Sequence, residues 1–199
     1  MSTAINIENP QAASTAFPSV DGHGTDTPPE LMTALTIENL RRMLQETGYR
    51  VEIVREGNVT LLRSATNGLA FDVRLGSGYA GMPEHHADMT LVALFAVRGA
   101  LPLDLVNEWN RTRRFARLFL DQPAPGQDFL IFSMDVSVAG GVTARQLRAQ
   151  IEIWDSLVQQ LIPWLREALG KLSPANGARP GDASTELQAP AAAANSANT

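Results

Sequence analysis

One stretch of the chain, residues 106–154, constrains the fold more than any other. Its pattern predicts, in order, an amphipathic helix, two apolar strands, a Gly-Gly turn and a second amphipathic helix. Pro102 can open the first helix, because the first backbone N–H groups of a helix are unpaired in any case. Thr143 is placed to cap the second helix. This order indicates an α+β domain with helices packed on an antiparallel sheet.

The residues upstream predict a further helix and four further strands. Thr36 is expected to cap this helix, and Gly48 supplies the left-handed position that ends it. The Asn67-Gly68 pair strongly favours a two-residue hairpin turn. Strand patterns cover residues 49–55, 59–64, 69–75, 89–97, 115–120 and 129–136. The predicted order is therefore α-β-β-β-β-α-β-β-α, with the fourth strand, apolar on both faces, at the centre of the sheet.

The two ends of the chain differ in composition from its middle. Residues 1–30 and 173–199 are rich in small and polar residues and show no apolar periodicity. We therefore expect two disordered tails around one folded domain at residues 31–172. The N-terminal tail has neither the basic nor the apolar region of a signal peptide, and no run approaches 18 apolar residues. These features predict a cytoplasmic protein without a membrane segment.

Charge and cysteine content exclude several classes of function. The chain carries a net charge of −5, but residues 31–172 contain 15 basic and 15 acidic residues, so the predicted domain is neutral. A nucleic-acid-binding domain normally shows a basic excess, so we expect no nucleic-acid partner. The chain has no cysteine, which removes disulfides, thiolate metal sites and cysteine nucleophiles.

Two short motifs match ligand-binding patterns but lack the surroundings that such sites need. Residues 76–81 read Gly-x-Gly-x-x-Gly, yet a strand pattern follows where a dinucleotide site requires a helix. His85 and His86, near Glu84 and Asp88, are adjacent in a strand pattern and would point in opposite directions. No Gly-x-Ser-x-Gly sequence accompanies them. We predict no catalytic residue, no metal and no cofactor.

Two asparagines on one short helix need an explanation, because asparagine is a poor helix former. Asn107 and Asn110 are three residues apart and share a helix face. We expect their side chains to bond backbone groups that the Gly140–Gly141 turn leaves exposed. Trp109, between them, and Trp154, on the last helix, are expected to anchor the core.

Four arginines cluster where that helix ends: Arg111, Arg113, Arg114 and Arg117. The dipole of a helix favours cations at its C-terminus, which explains Arg113 and Arg114 without a ligand. The alternative is a docking site for a phosphate or an acidic partner.

Several of these motifs together resemble one protein family. They are Gly48-Tyr49-x-Val51-Glu52, Asn107-x-Trp109-Asn110-x-x-x-Arg114-Phe115-Ala116, Leu120-Asp121, and Gly140-Gly141-Val142-Thr143 followed by Trp154. Over residues 33–169 the chain resembles the YbjN-domain family, small bacterial proteins described as sensory transduction regulators. The resemblance implies a fold similar to that of type III secretion chaperones. It departs at residues 75–79, where members often carry an aromatic and cysteine pattern.

The resemblance and the absence of a catalytic constellation predict a non-enzymatic, chaperone-like domain that binds proteins or regulates them. We expect a homodimer and an unidentified protein partner. The predicted interface is the last helix, where Ile162, Trp164 and Leu169 lie outside the main apolar face. The alternative is a sensory module that binds a small molecule in a cleft between sheet and helices. The signature residues for a structural or interaction role are Asn107, Trp109, Asn110, Arg114, Phe115, Gly140, Gly141, Thr143 and Trp154.

Overall fold

Three helices and ten strands make up the described part of the chain. The structure is a computed structural model, and it describes residues 30–97 and 101–172. The helices are α1 (Ile37–Glu46), α2 (Leu103–Thr112) and α3 (Ala144–Leu172). The strands are β1 (Leu31–Met32), β2 (Glu52–Glu56), β3 (Val59–Thr66), β4 (Leu69–Leu75), β5 (Gly78–Tyr79), β6 (Met82–His86), β7 (Asp88–Val97), β8 (Arg117–Ala124), β9 (Gln127–Ser137) and β10 (Val142–Thr143). The predicted tails lie outside the described residues, apart from Glu30.

Six strands form one antiparallel sheet in the order β2-β3-β4-β7-β9-β8. The predicted α+β class is confirmed, and all nine predicted elements are present in their predicted order. Two small pairings come in addition. β1 pairs with β10, and β5 pairs with β6 in the segment between the third and fourth predicted strands.

All three helices pack on the same face of this sheet. Phe132 of β9 contacts Trp109 of α2 and Trp154 of α3, with ring centroids 5.6 and 5.0 Å apart. The first helix joins the same core through Leu40 and Leu44. Along each strand of the sheet, every second side chain faces this core. Neighbouring strands align these side chains, and one such row consists of Leu62, Val73, Leu91 and Met134. The domain is therefore a two-layer structure with one helical layer.

The predicted capping residues and turns hold the elements in place. Thr36 accepts a hydrogen bond from the backbone N–H of Asn39, and the Asn39 side chain accepts one from the backbone N–H of Thr36. Thr143 accepts one from the backbone N–H of Gln146 at the start of α3. Asn67 has a φ of 50° in the β3–β4 turn, as a primed hairpin turn requires.

Candidate interaction surface

Asn110 ties the end of α2 to the edge strand β8. Its amide nitrogen donates to the carbonyl of Leu118 at 2.8 Å, and its amide oxygen accepts from the N–H of Leu118 at 2.9 Å. The side chain thus bonds both outward backbone groups of Leu118, as a neighbouring strand would. The expected contact with the Gly140–Gly141 turn is wrong, because α2 runs back beside β8. The N–H of Gly141 bonds the carbonyl of Val138 within its own turn.

The other residues of the Asn-Trp-Asn helix divide between core and surface. Asn107 is exposed and its side chain makes no hydrogen bond to any described residue, so the expected backbone contact is wrong for it too. Trp109 is fully buried, as is Trp154 on α3, so both lie in the core as predicted. Neither indole N–H has a hydrogen-bond partner among the described residues. The two rings therefore contribute through packing alone.

On the last helix, where the interface is predicted, Trp164 packs against a neighbouring helix, and the interface itself stays a prediction. The Trp164 ring lies 5.1 Å from the ring of Trp109, so α3 uses this residue to hold α2. Ile162 and Leu169 are also half-buried against the core. The apolar stripe of α3 is wide because the helix contacts both the sheet and α2.

The face of the sheet opposite the helices carries an apolar patch. Leu94 of β7, Ile131 of β9 and Phe119 of β8 lie opposite one another across three strands. Phe129 pairs with Ala96 in the next row. Leu94, Phe129 and Ile131 are half-buried, and Phe119 is 39% exposed. We call Leu94, Phe119, Phe129 and Ile131 the open-face patch, because no described helix covers it.

Charged side chains of both signs surround this patch. Arg117 of β8 forms an ion pair with Asp135 of β9, which also accepts a hydrogen bond from Thr90. On β3 and β4, Arg63 donates two hydrogen bonds to the buried Asp72, at 2.8 and 3.1 Å. The patch thus has an apolar centre and a polar rim, the usual arrangement of a protein interface.

A groove opens on the other side of the sheet, between the end of α1 and the middle of α3. Its volume is about 1040 Å³. It is lined by residues 47–52, the β3–β4 hairpin and Ile151, Glu152 and Asp155 of α3. This groove occupies the place of the predicted cleft between sheet and helices.

The polar group at the centre of the groove is already satisfied by the protein. One oxygen of Asp155 accepts hydrogen bonds from Thr66, from the Tyr49 hydroxyl at 3.3 Å and from Asn67 at 3.5 Å. The other oxygen accepts one from Gln159 at 2.8 Å. The cluster joins the segment that follows α1, the β3–β4 turn and α3, so it holds these parts together.

Partial burial raises the pKa of Tyr49 to about 12, and the nearby charge of Asp155 adds to this effect. The folded state therefore favours the neutral phenol. The stabilisation that the neutral Tyr49 hydroxyl provides is complete below pH 10, the ordinary pKa of tyrosine, and is lost as the pH rises towards 12.

Replacing Tyr49 with phenylalanine should remove this part of the alkaline destabilisation. Urea unfolding of the wild type and of Tyr49→Phe, measured between about pH 9 and pH 11, gives the difference between the two proteins at each pH. We expect the difference in the free energy of unfolding between the two proteins to become smaller as the pH rises above 10. A difference that stays constant over this range would show that Tyr49 ionises alike in the folded and the unfolded state.

The segment between β4 and β7 folds into a hairpin against β7. A Cβ added at Gly76 would lie 1.8 Å from a carboxylate oxygen of Asp88, so a side chain there would require the Asp88 carboxylate to move. The His86 ring lies 3.0 Å from the carbonyl of Gly76. Residues 76–81 do not open a helix, and no group of three metal-ligating residues occurs in the described ranges.

The match to one family model places the chain in a protein family. Residues 36–167 match the family model of YbjN, described as "Putative bacterial sensory transduction regulator". The match spans more than half of the chain, so this protein belongs to the YbjN family. A solved structure, described as "Crystal structure of YbjN, a putative transcription regulator from E. coli", is 19% identical, with a TM-score of 0.49 over 62% of this chain and 84% of that one. A search of curated proteins returns no match. None of the helices described could cross a membrane.

Proposed function

We propose that this regulatory domain acts by binding proteins and that it forms a homodimer through the open-face patch. The row of Leu94, Ile131 and Phe119 on a face without helices carries the proposal. An antiparallel sheet with one wet face normally shows polar residues there. Here three adjacent strands instead place apolar side chains side by side, and covering them removes apolar surface from water.

The charges around the patch favour a second copy of the chain as the occupant. Arg117 and Asp135 bring opposite charges to the same border, and Asp121 lies beyond Phe119 on β8. In a twofold dimer the same surface meets itself, so each acidic group can face a basic group of the partner subunit. Because residues 31–172 are neutral, two copies do not repel each other through net charge.

The proposal assigns no reaction to the domain. Asp155 lines the groove of about 1040 Å³, and its two oxygens accept hydrogen bonds from four protein donors. A general base needs a free oxygen within reach of the proton it removes. This arrangement suits a structural role, in keeping with a family described as regulators. The cytoplasmic location stays a prediction from the sequence.

Charge placed in the patch should weaken the dimer. Phe119→Lys introduces a charge beside Ile131, whereas the matched control Leu103→Lys changes an apolar residue of α2 that is 66% exposed. We expect sedimentation velocity to show a loss of dimer affinity of about tenfold or more for Phe119→Lys and none for Leu103→Lys. Equal behaviour of both variants would contradict the proposal, provided that circular dichroism shows both to be folded.

The second candidate function, a sensory module for a small molecule, is favoured by the groove of about 1040 Å³. Pockets for small ligands typically measure about 300–1,000 Å³. Native mass spectrometry of the purified protein separates the candidates. A bound molecule of low mass that is lost when Ala70 of the groove is changed to Trp supports the sensory module.

A further inference from the structure

The chain forms a strained turn at Phe115, between α2 and β8. Phe115 has a φ of 74°, and the N–H of Ala116 donates to the carbonyl of Arg114 at 3.0 Å. A hydrogen bond that spans two residues around a positive φ defines a γ-turn of the rare, strained type. Glycine adopts this conformation without strain, whereas a bulky residue does so at a cost.

The Phe115 side chain gains little packing in return for this strain. It is 59% exposed, so most of its ring remains in water. The guanidinium of Arg114 lies over the ring, 5.3 Å from its centre. A conformation that is costly and not needed by the core is a common mark of a functional position. The turn thus holds an aromatic ring at the surface, with an arginine stacked on it.

The four arginines around this turn differ in the contacts that they make within the domain. Arg113 lies over the ring of Trp109 at 5.4 Å, and Arg117 is paired with Asp135. Arg111 and Arg114 are exposed, and neither forms an ion pair with any residue in the described ranges. Arg113 and Arg117 thus make contacts within the domain. Arg114 lies against the exposed Phe115 ring, and Arg111 lies in the last turn of α2, just before the turn at Phe115.

We infer that Arg111, Arg114 and Phe115 form a docking surface for an acidic segment of a partner protein. This inference rests on the proposed role in protein binding and names the chemistry of the partner. Carboxylates of the segment pair with the two guanidinium groups, and an apolar side chain of the segment packs on the Phe115 ring. A peptide fits better than a nucleic acid, because the domain as a whole has no basic excess.

The test uses the full-length protein labelled with ¹⁵N and a blocked peptide of sequence Glu-Glu-Phe-Glu-Glu. Two further peptides serve as controls, one with glutamine in place of every glutamate and one with alanine in place of the phenylalanine. We expect the acidic aromatic peptide to shift the backbone signals of residues 111–117, and each control peptide to bind about tenfold more weakly. A single-stranded oligonucleotide is titrated in parallel. Tighter binding of the oligonucleotide at this turn would overturn the inference.

The variant Phe115→Gly separates a binding role from a structural one. Relief of the strain should leave the melting temperature at the wild-type value or raise it by a few degrees, about 2–4 °C, while peptide binding falls about tenfold. Arg145→Ala, which removes an exposed arginine of α3, is the matched control and should leave binding unchanged. A lower melting temperature with unchanged peptide binding would show that the Phe115 ring serves the fold.

The outcome of this test is independent of the dimer. Phe115→Gly should sediment as the wild type does, since Phe115 lies outside the open-face patch. Loss of peptide binding together with an intact dimer supports the docking surface. Failure of the peptide to bind the wild type would overturn the docking surface and leave the dimer proposal to its own test.

Discussion

Replacing Trp109 with alanine should lower the free energy of unfolding by about 3–5 kcal/mol. The ring is fully buried between Phe132 of the sheet and Trp164 of α3, at 5.6 and 5.1 Å. Its removal leaves a cavity where α2, α3 and the sheet meet, and the surrounding side chains can fill this cavity only in part. Urea unfolding followed by circular dichroism measures the change.

Two further variants show that packing causes this loss. The indole N–H of Trp109 has no described partner, so Trp109→Phe breaks no hydrogen bond and should cost less, about 1–2 kcal/mol. Leu103→Ala changes an exposed residue of the same helix and should stay within about 0.5 kcal/mol of the wild type. A loss below about 1 kcal/mol for Trp109→Ala would contradict the placement of this ring in the core.

The second large effect is expected for Asn110→Ala, at about 1–3 kcal/mol. This change leaves the N–H and the carbonyl of Leu118 without their partner at the sheet edge. Asn107→Ala is a close control, because it removes the same side chain from the same helix without breaking a described hydrogen bond. Asn110→Asp should also destabilise the protein, since a carboxylate cannot donate to the Leu118 carbonyl. Equal stability of the two alanine variants would show that the hydrogen bonds between Asn110 and Leu118 do not stabilise the fold.

The local elements could be predicted because their signals lie within short stretches. The cap at Thr36, the Asn67-Gly68 turn and the Thr143 cap each involve residues no more than three positions apart. The pairs of β1 with β10 and of β5 with β6 could not be predicted in this way. Each contains a strand of only two residues, which is too short to produce a periodic pattern.

The partner of Asn110 depends on strand order, which the sequence pattern does not contain. Asn110 and Leu118 meet because β8 lies at the edge of the sheet beside α2. The prediction instead paired two unusual sequences, the asparagines and the Gly140–Gly141 turn. The same limit applies to the contact between Trp164 and Trp109, because periodicity shows a wide apolar stripe and not which neighbour covers each part of it.

The apolar pattern of β7 predicted correctly that this strand lies inside the sheet, but it did not show that one of its two faces has no described helix over it. The strand lies inside the sheet, between β4 and β9, as its two apolar faces predicted. A strand with two apolar faces normally has helices on both sides. Here one side has none among the described residues, so Leu94 and its neighbours Ile131 and Phe119 form a surface patch. This surface became apparent only when the register of three strands was known.

Sedimentation equilibrium of the wild-type protein over a range of concentrations, at about 0.1 M and about 1 M NaCl, tests most directly whether the open-face patch joins two copies. An interface with an apolar centre keeps its affinity, or gains some, when salt screens the charges around it. The account therefore predicts a dimer at both salt concentrations. A monomer under all conditions, or a dimer that dissociates at the higher salt concentration, would contradict it.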